Sequence, residues 1–190
     1  MKNFEIWYTA RDIYNKGYSE GEILSWNNYI QWSKLYHLDE LVSLDSMLNP
    51  VIVDSDFNNL DDWNSMIIEN SIDTGFFSTL EFVLQKTKSV KRFNLLAVTK
   101  NPAIDCKEYR IKDFDFLGYD LLDLDYEISA LSNCGGFDET FLPNELNNLG
   151  LISNYEKAFD IKDRLCKNNP QEHHAFTNVI GIWRHKIIGR

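Results

Sequence analysis

The sequence predicts a single α+β domain over residues 1–190, built on a mostly antiparallel sheet with several packed helices. Three observations carry this expectation. With 44% hydrophobic and 14% aromatic residues in 190, the chain has enough apolar surface to offset the entropy of ordering one domain-sized core. Strand-like runs, one followed directly by a candidate antiparallel partner, are interspersed with amphipathic helical patterns. No internal repeat, low-complexity run or Pro/Ser-rich linker divides the chain.

Taken in order, residues 4–8 alternate loosely and are rich in β-formers, which predicts a first strand. Gly17 and Gly21 follow in a polar stretch. Residues 22–35 carry Ile23, Trp26, Ile30 and Leu35 at mixed spacing and read as helix. Leu38, Leu41, Val42, Leu44 and Leu48 make one apolar face over 37–48, with Asn49-Pro50 as a stop, and predict a second, short helix. Val51, Ile52 and Val53 read as a brief strand. The acids at the start of 61–68 suit a helix N-terminus. Phe77, Leu80, Val83 and Leu84 recur at three- and four-residue intervals and predict an amphipathic helix over 76–87 with a basic end.

Residues 92–98 read as a buried strand ended by Asn101-Pro102, and 114–123 as another with Gly118 embedded in it. Residues 127–134 are its expected antiparallel partner, and the paired glycines Gly135-Gly136 then break the chain. Pro143 opens one or two helical turns over 143–148. Ser153 followed by Glu156 in capping-box spacing predicts a helix over 153–166, ended by Asn168-Asn169-Pro170. The apolar run Phe176, Val179, Ile180, Ile182 and Trp183 predicts a final strand or strand pair over 174–188.

The net charge of −10 is unevenly distributed. Residues 35–85 contain no lysine or arginine and ten acids, and residues 113–156 repeat that balance, whereas 86–112 sum to +6 and 157–190 to +4. Such segregation can build a negative face that repels nucleic acid and phosphorylated membranes and steers a basic protein partner. Asp54, Asp56, Asp61 and Asp62 from the first tract, and Asp120, Asp123 and Asp125 from the second, are the candidate partner-binding carboxylates. The same acids can equally be solvated surface or helix caps. Trp26, Trp32 and Trp63 are candidate aromatic anchors, or core.

No apolar run approaches the roughly 20 residues that span a bilayer. The first residues acquire a glutamate where a signal peptide needs continuous apolar sequence, so a cytoplasmic location is expected. Cys106, Cys134 and Cys166 are widely spaced, without a Cys-x-x-Cys pair, and read as reduced thiols.

Phosphate-cradling, dinucleotide-binding, zinc-helix and nucleophile-elbow motifs are all missing, so neither cofactor nor metal is expected. The adjacent His173 and His174 would point to opposite faces of a strand, which is awkward for joint ligation. Cys134, in Ser132-Asn133-Cys134-Gly135-Gly136, is the one candidate nucleophile. His173 or His174 would serve as its base and Asp120 or Asp123 would orient that base, as in a small hydrolase or transferase. The alternative is that Cys134 ends a buried strand and the glycines form a turn.

The segment 117–123, Leu-Gly-Tyr-Asp-Leu-Leu-Asp, followed by 128–136, Ile-Ser-Ala-Leu-Ser-Asn-Cys-Gly-Gly, resembles a pattern in small bacterial proteins, some of them immunity proteins of polymorphic or contact-dependent toxin systems. The resemblance covers about a tenth of the chain and transfers no functional residue. It implies a cytoplasmic protein that binds and neutralises a cognate toxin, and the acidic balance would suit a basic toxin domain.

Overall fold

Two of the chain's longest apolar runs become the inner strands of a four-stranded antiparallel sheet with the order β1-β4-β6-β5. The computed structural model describes residues 4–17, 25–45, 50–66, 75–132, 143–168, 170–172 and 175–189, with Asp54 by its backbone alone. Strand β4 (Asn94–Lys100) is buried at every position but its last, and β6 (Thr177–His185) is buried through Trp183. Both read as near-continuous apolar segments because both faces of the sheet are covered. The edges are β1 (Trp7–Arg11) and β5 (Phe114–Asp123), and a separate two-stranded ladder joins β2 (Tyr14–Asn15) to β3 (Glu40–Leu41).

Each edge strand is covered along part of its outer side. Along β1, Tyr8 and Phe77 exchange backbone hydrogen bonds of 2.8 Å. Along β5, Tyr119 and Ile152 do the same at 2.8 and 3.0 Å, and the Asp123 and Ala130 amides bond the carbonyls of Ile128 and Leu121. The 127–132 segment therefore does lie antiparallel to β5, as expected. Gly118 makes the docking of 151–152 possible. The register shifts between Phe116 and Gly118, the glycine adopts φ +150°, and a Cβ there would stand 2.8 Å from Leu151 Cβ and 2.9 Å from the Ile152 carbonyl oxygen. Exposed ladder groups invite edge-to-edge association, and these contacts cover part of them.

The helices follow their caps. Ser25 caps α1 (Trp26–Ser33), which ends at Lys34 in the left-handed conformation at φ 60°. Asn59 caps α2 (Leu60–Asn64), and Thr79 caps α3 (Leu80–Lys86). Helix α4 (Tyr155–Asn168) buries Ala158, Ile161 and Leu165, the spacing of one inward stripe. Its cap is Asn154, whose side chain accepts from the Lys157 amide at 2.8 Å. The expected Ser153/Glu156 capping box is displaced by one residue.

Four expected elements take other forms. The first strand begins at Trp7, and residues 76–79 enter α3 as a bridge to β1 and a cap, so that helix starts at Leu80. Residues 51–53 form no strand. They follow Pro50, which bridges Arg11, and lead into a 3-10 turn at Asp54–Asp56. The larger correction is at 37–48, where no helix forms among the described residues. Its amides bond across the fold instead, Asp39 and Val42 donating at 2.9 Å to the carbonyls of Asn148 and Leu149. Leu41, Val42, Ser43, Leu44 and Asp45 are buried consecutively, a pattern an extended segment between layers can satisfy and a one-sided helix cannot.

Candidate functional site

The two acidic tracts meet inside the protein. Asp120 on β5 is fully buried and Asp45 is 1% exposed, and the hydroxyls of Ser129 and Ser132 and several backbone amides hold the two carboxylates. Oδ1 of Asp120 accepts from its neighbour's amide at Leu121 (2.8 Å) and from the Ser129 hydroxyl (2.5 Å), while Oδ2 accepts from the Leu44 amide (3.1 Å). Oδ2 of Asp45 accepts from the Ser129 amide (2.8 Å) and the Ser132 hydroxyl (3.4 Å). Ser43 closes the cluster, its hydroxyl 2.9 Å from that of Ser132 and accepting from the Asp45 amide at 3.1 Å.

Burial pushes the Asp120 carboxyl up to about 6, against the lowering pull of its hydrogen bonds, and the nearby Asp45 adds to the rise. A buried carboxyl is tolerated where its oxygens are satisfied. The arrangement cross-links β5, the 41–45 segment and the 129–132 segment. It is a clamp between parts of the fold, and its residues line neither the cavity at 107–116 nor the one at 99–104. Asp123 is also buried, at 6% exposure, and accepts from the Glu127 amide at 2.8 Å to close the turn after β5. Asp120 and Asp123 thus point inward, whereas Asp125 is exposed in that turn.

Around α2 the first tract is differently disposed. Asp61 is exposed in the first turn, and Asp56 and Asp62 are half-buried. Asp62 accepts from the Asn58 amide at 2.6 Å and from Lys86 Nζ at 2.7 Å. Those two hydrogen bonds, the backbone one first, hold its carboxyl below the usual range. Lys86 also donates to the Asp56 carbonyl at 2.7 Å, and Asp56 itself accepts from the Val53 amide at 2.8 Å. The turn is thereby pinned to α3. Phe57 inserts beneath it, edge-on to Trp63 at 4.6 Å and to Phe82 at 6.1 Å.

Above that base the surface is apolar as well as acidic. Leu60 is 74% exposed, Val53 44% and Trp63 41%. Of the other candidate anchors, Trp32 is exposed on α1 while Trp26 is core.

Cys134, His173 and His174 lie outside the described residues, as does the side chain of Asp54. Asp120, the proposed orienter of their chemistry, has its oxygens engaged by Leu44, Leu121 and Ser129. Cys106 is buried, and burial pushes its thiol up to about 12. No group of His, Cys, Asp and Glu among the described residues is placed to hold a metal ion, and no helix among them is long and apolar enough to cross a membrane.

Residue order alone does not mark Ser43, Asp45, Ser129 and Ser132 as one cluster. Their signal is polar residues inside otherwise apolar runs, Leu-Val-Ser-Leu-Asp at 41–45 and Ser-Ala-Leu-Ser at 129–132. Compared with known proteins, the chain matches no family model, no curated protein and no solved structure.

Proposed function

We propose that this chain is a non-enzymatic binding protein that captures a basic protein partner on the acidic and apolar corner at 53–63. The observation that carries the reading is the exposure of Leu60, Trp63 and Val53 beside Asp61, on a stretch free of lysine and arginine. Large apolar side chains rimmed by charge of one sign suit a partner that offers a pocket and cationic residues. Carboxylates at the rim would act chiefly on the rate of encounter, the aromatic anchor on the lifetime of the complex.

The corner is also preorganised. Lys86, Asn58 and Phe57 hold it in place, so docking would order little that is not ordered already. In keeping with the resemblance at 117–123 and 128–136, the role that fits best is cytoplasmic neutralisation of a toxin with a basic domain.

Affinity capture from a lysate of the source organism at low and at moderate salt, with mass spectrometry of what is retained, tests this. A single stoichiometric basic protein, bound more slowly as salt rises, is the expected result. A partner whose association rate ignores salt would remove the electrostatic part of the proposal.

A further inference from the structure

We infer a second binding site, for a small planar anion, in the cavity between residues 107–116 and β6. The cavity has a volume of about 560 Å³, within the range of small-molecule sites. It shares no residue with the 53–63 corner. Its lining includes four cations, Lys107, Arg110, Lys112 and Lys186, against the two carboxylates Asp113 and Asp115. Lys186 is paired with Asp115 at 3.3 Å. The other three cations are exposed and form no ion pair among the described residues. In a chain of net charge −10, this is a local reversal of sign, and it focuses attraction on an anion.

The inner wall is aromatic. Trp183 is 1% exposed, with Phe116 at 5.4 Å and Tyr109 at 6.3 Å between ring centroids. Trp183 Nε1 is buried and has no hydrogen-bond partner among the described residues. An indole N–H only donates, and a buried donor left unmet is costly. Its burial keeps it out of a ligand's reach, and the rings a bound ligand would meet are those of the half-buried Tyr109 and Phe116. Cations at the mouth and aromatic rings behind them select a ligand that is flat at one end and negatively charged at the other, such as an aryl or nucleoside phosphate.

The wall is held in place by pairing rather than by chance proximity. Phe114 faces His185 across the β5–β6 ladder, and the Lys186 amide donates to the Asp113 carbonyl at 3.0 Å. This brings Lys186 to the same mouth as Lys107, Arg110 and Lys112.

Titration calorimetry with adenosine monophosphate and with naphthyl phosphate as probes, and with adenosine and inorganic phosphate as their separate halves, tests the site. At least one planar phosphate should bind with a dissociation constant below about 1 mM, and at least about tenfold more tightly than inorganic phosphate or adenosine. The double variant Arg110→Ala with Lys112→Ala should weaken it by about tenfold or more while leaving the melting temperature of the free protein unchanged, since both side chains are exposed. Binding of neither planar phosphate would overturn the inference. So would equal affinity for inorganic phosphate, or an unaltered affinity in the double variant.

Discussion

Replacing Asp120 by Asn isolates the contribution of the buried carboxylate. Its carboxyl is raised from the ordinary 3.8 to about 6, first by burial. At 1.36 kcal/mol per unit, a rise of about two units corresponds to about 3 kcal/mol. The folded chain keeps this proton to higher pH than the unfolded one. Between about pH 4 and pH 6 it therefore binds more protons, and the contribution favours folding below that window and is lost as the pH rises through it. Asn does not titrate there. It also replaces one acceptor oxygen by an amide group, so one of the donors from Leu44, Leu121 and Ser129 loses its partner, a loss independent of pH and worth about 1–3 kcal/mol. Urea unfolding of both proteins at intervals from about pH 4 to pH 7 gives the difference directly. The stability of the wild type relative to Asp120→Asn should fall by about 3 kcal/mol across that range. A difference constant to within about 0.5 kcal/mol would refute the assignment of Asp120 as a buried, proton-retaining group.

Three further outcomes follow from the packing. Gly118→Ala should cost about 3 kcal/mol in chemical denaturation, because the new methyl group meets Leu151 and the Ile152 backbone at a φ that alanine resists. Gly181→Ala should cost about 1–3 kcal/mol, since its Cβ would lie 2.5 Å from Cys106 Sγ. Adding Cys106→Ala should recover part of that loss, and strictly additive effects in a double-mutant cycle would show that the two do not share the space. In native protein at neutral pH, Cys106 should resist a thiol reagent until the chain unfolds. Mass spectrometry of the labelled peptides checks this, and selective native labelling of Cys134 in the same experiment would favour the hydrolase or transferase alternative over a purely binding role.

Some of this architecture was legible from order alone. Strand β5 matches its expected bounds at Phe114–Asp123, because a strand-rich run there is flanked by polar residues. Helix α4 is legible from its inward stripe, but it runs from Tyr155 to Asn168 where 153–166 is expected, and its start shifts because Ser153 and Asn154 are both good N-caps and spacing alone does not choose between them. The leucine spacing at 37–48 fits a helical face as well as it fits a buried extended segment. The deciding fact is a long-range one, the backbone bonding of Asp39 and Val42 to residues 148 and 149.

The candidate site divides along the same line. An aspartate between Tyr119 and Leu121 carries no local mark of whether it faces water or core. Asp120 is inside because Leu44 and Ser129, remote in sequence, supply its donors. The basic character of 86–112 is plain from composition, but the cavity it lines exists only because the β5–β6 ladder brings Lys186 and Trp183 beside it.

The proposed binding role is tested most directly by capture with two immobilised proteins side by side, the wild type and a variant carrying Asp61→Lys and Trp63→Ala, in the same lysate. Asp61 is exposed, and Trp63 is 41% exposed with its ring against Phe57, so circular dichroism of both proteins accompanies the capture and should show the same fold. The wild type should retain one basic partner at equal stoichiometry and the variant about a tenth as much or less. Equal retention by the two proteins, or no partner on the wild type, would contradict that role.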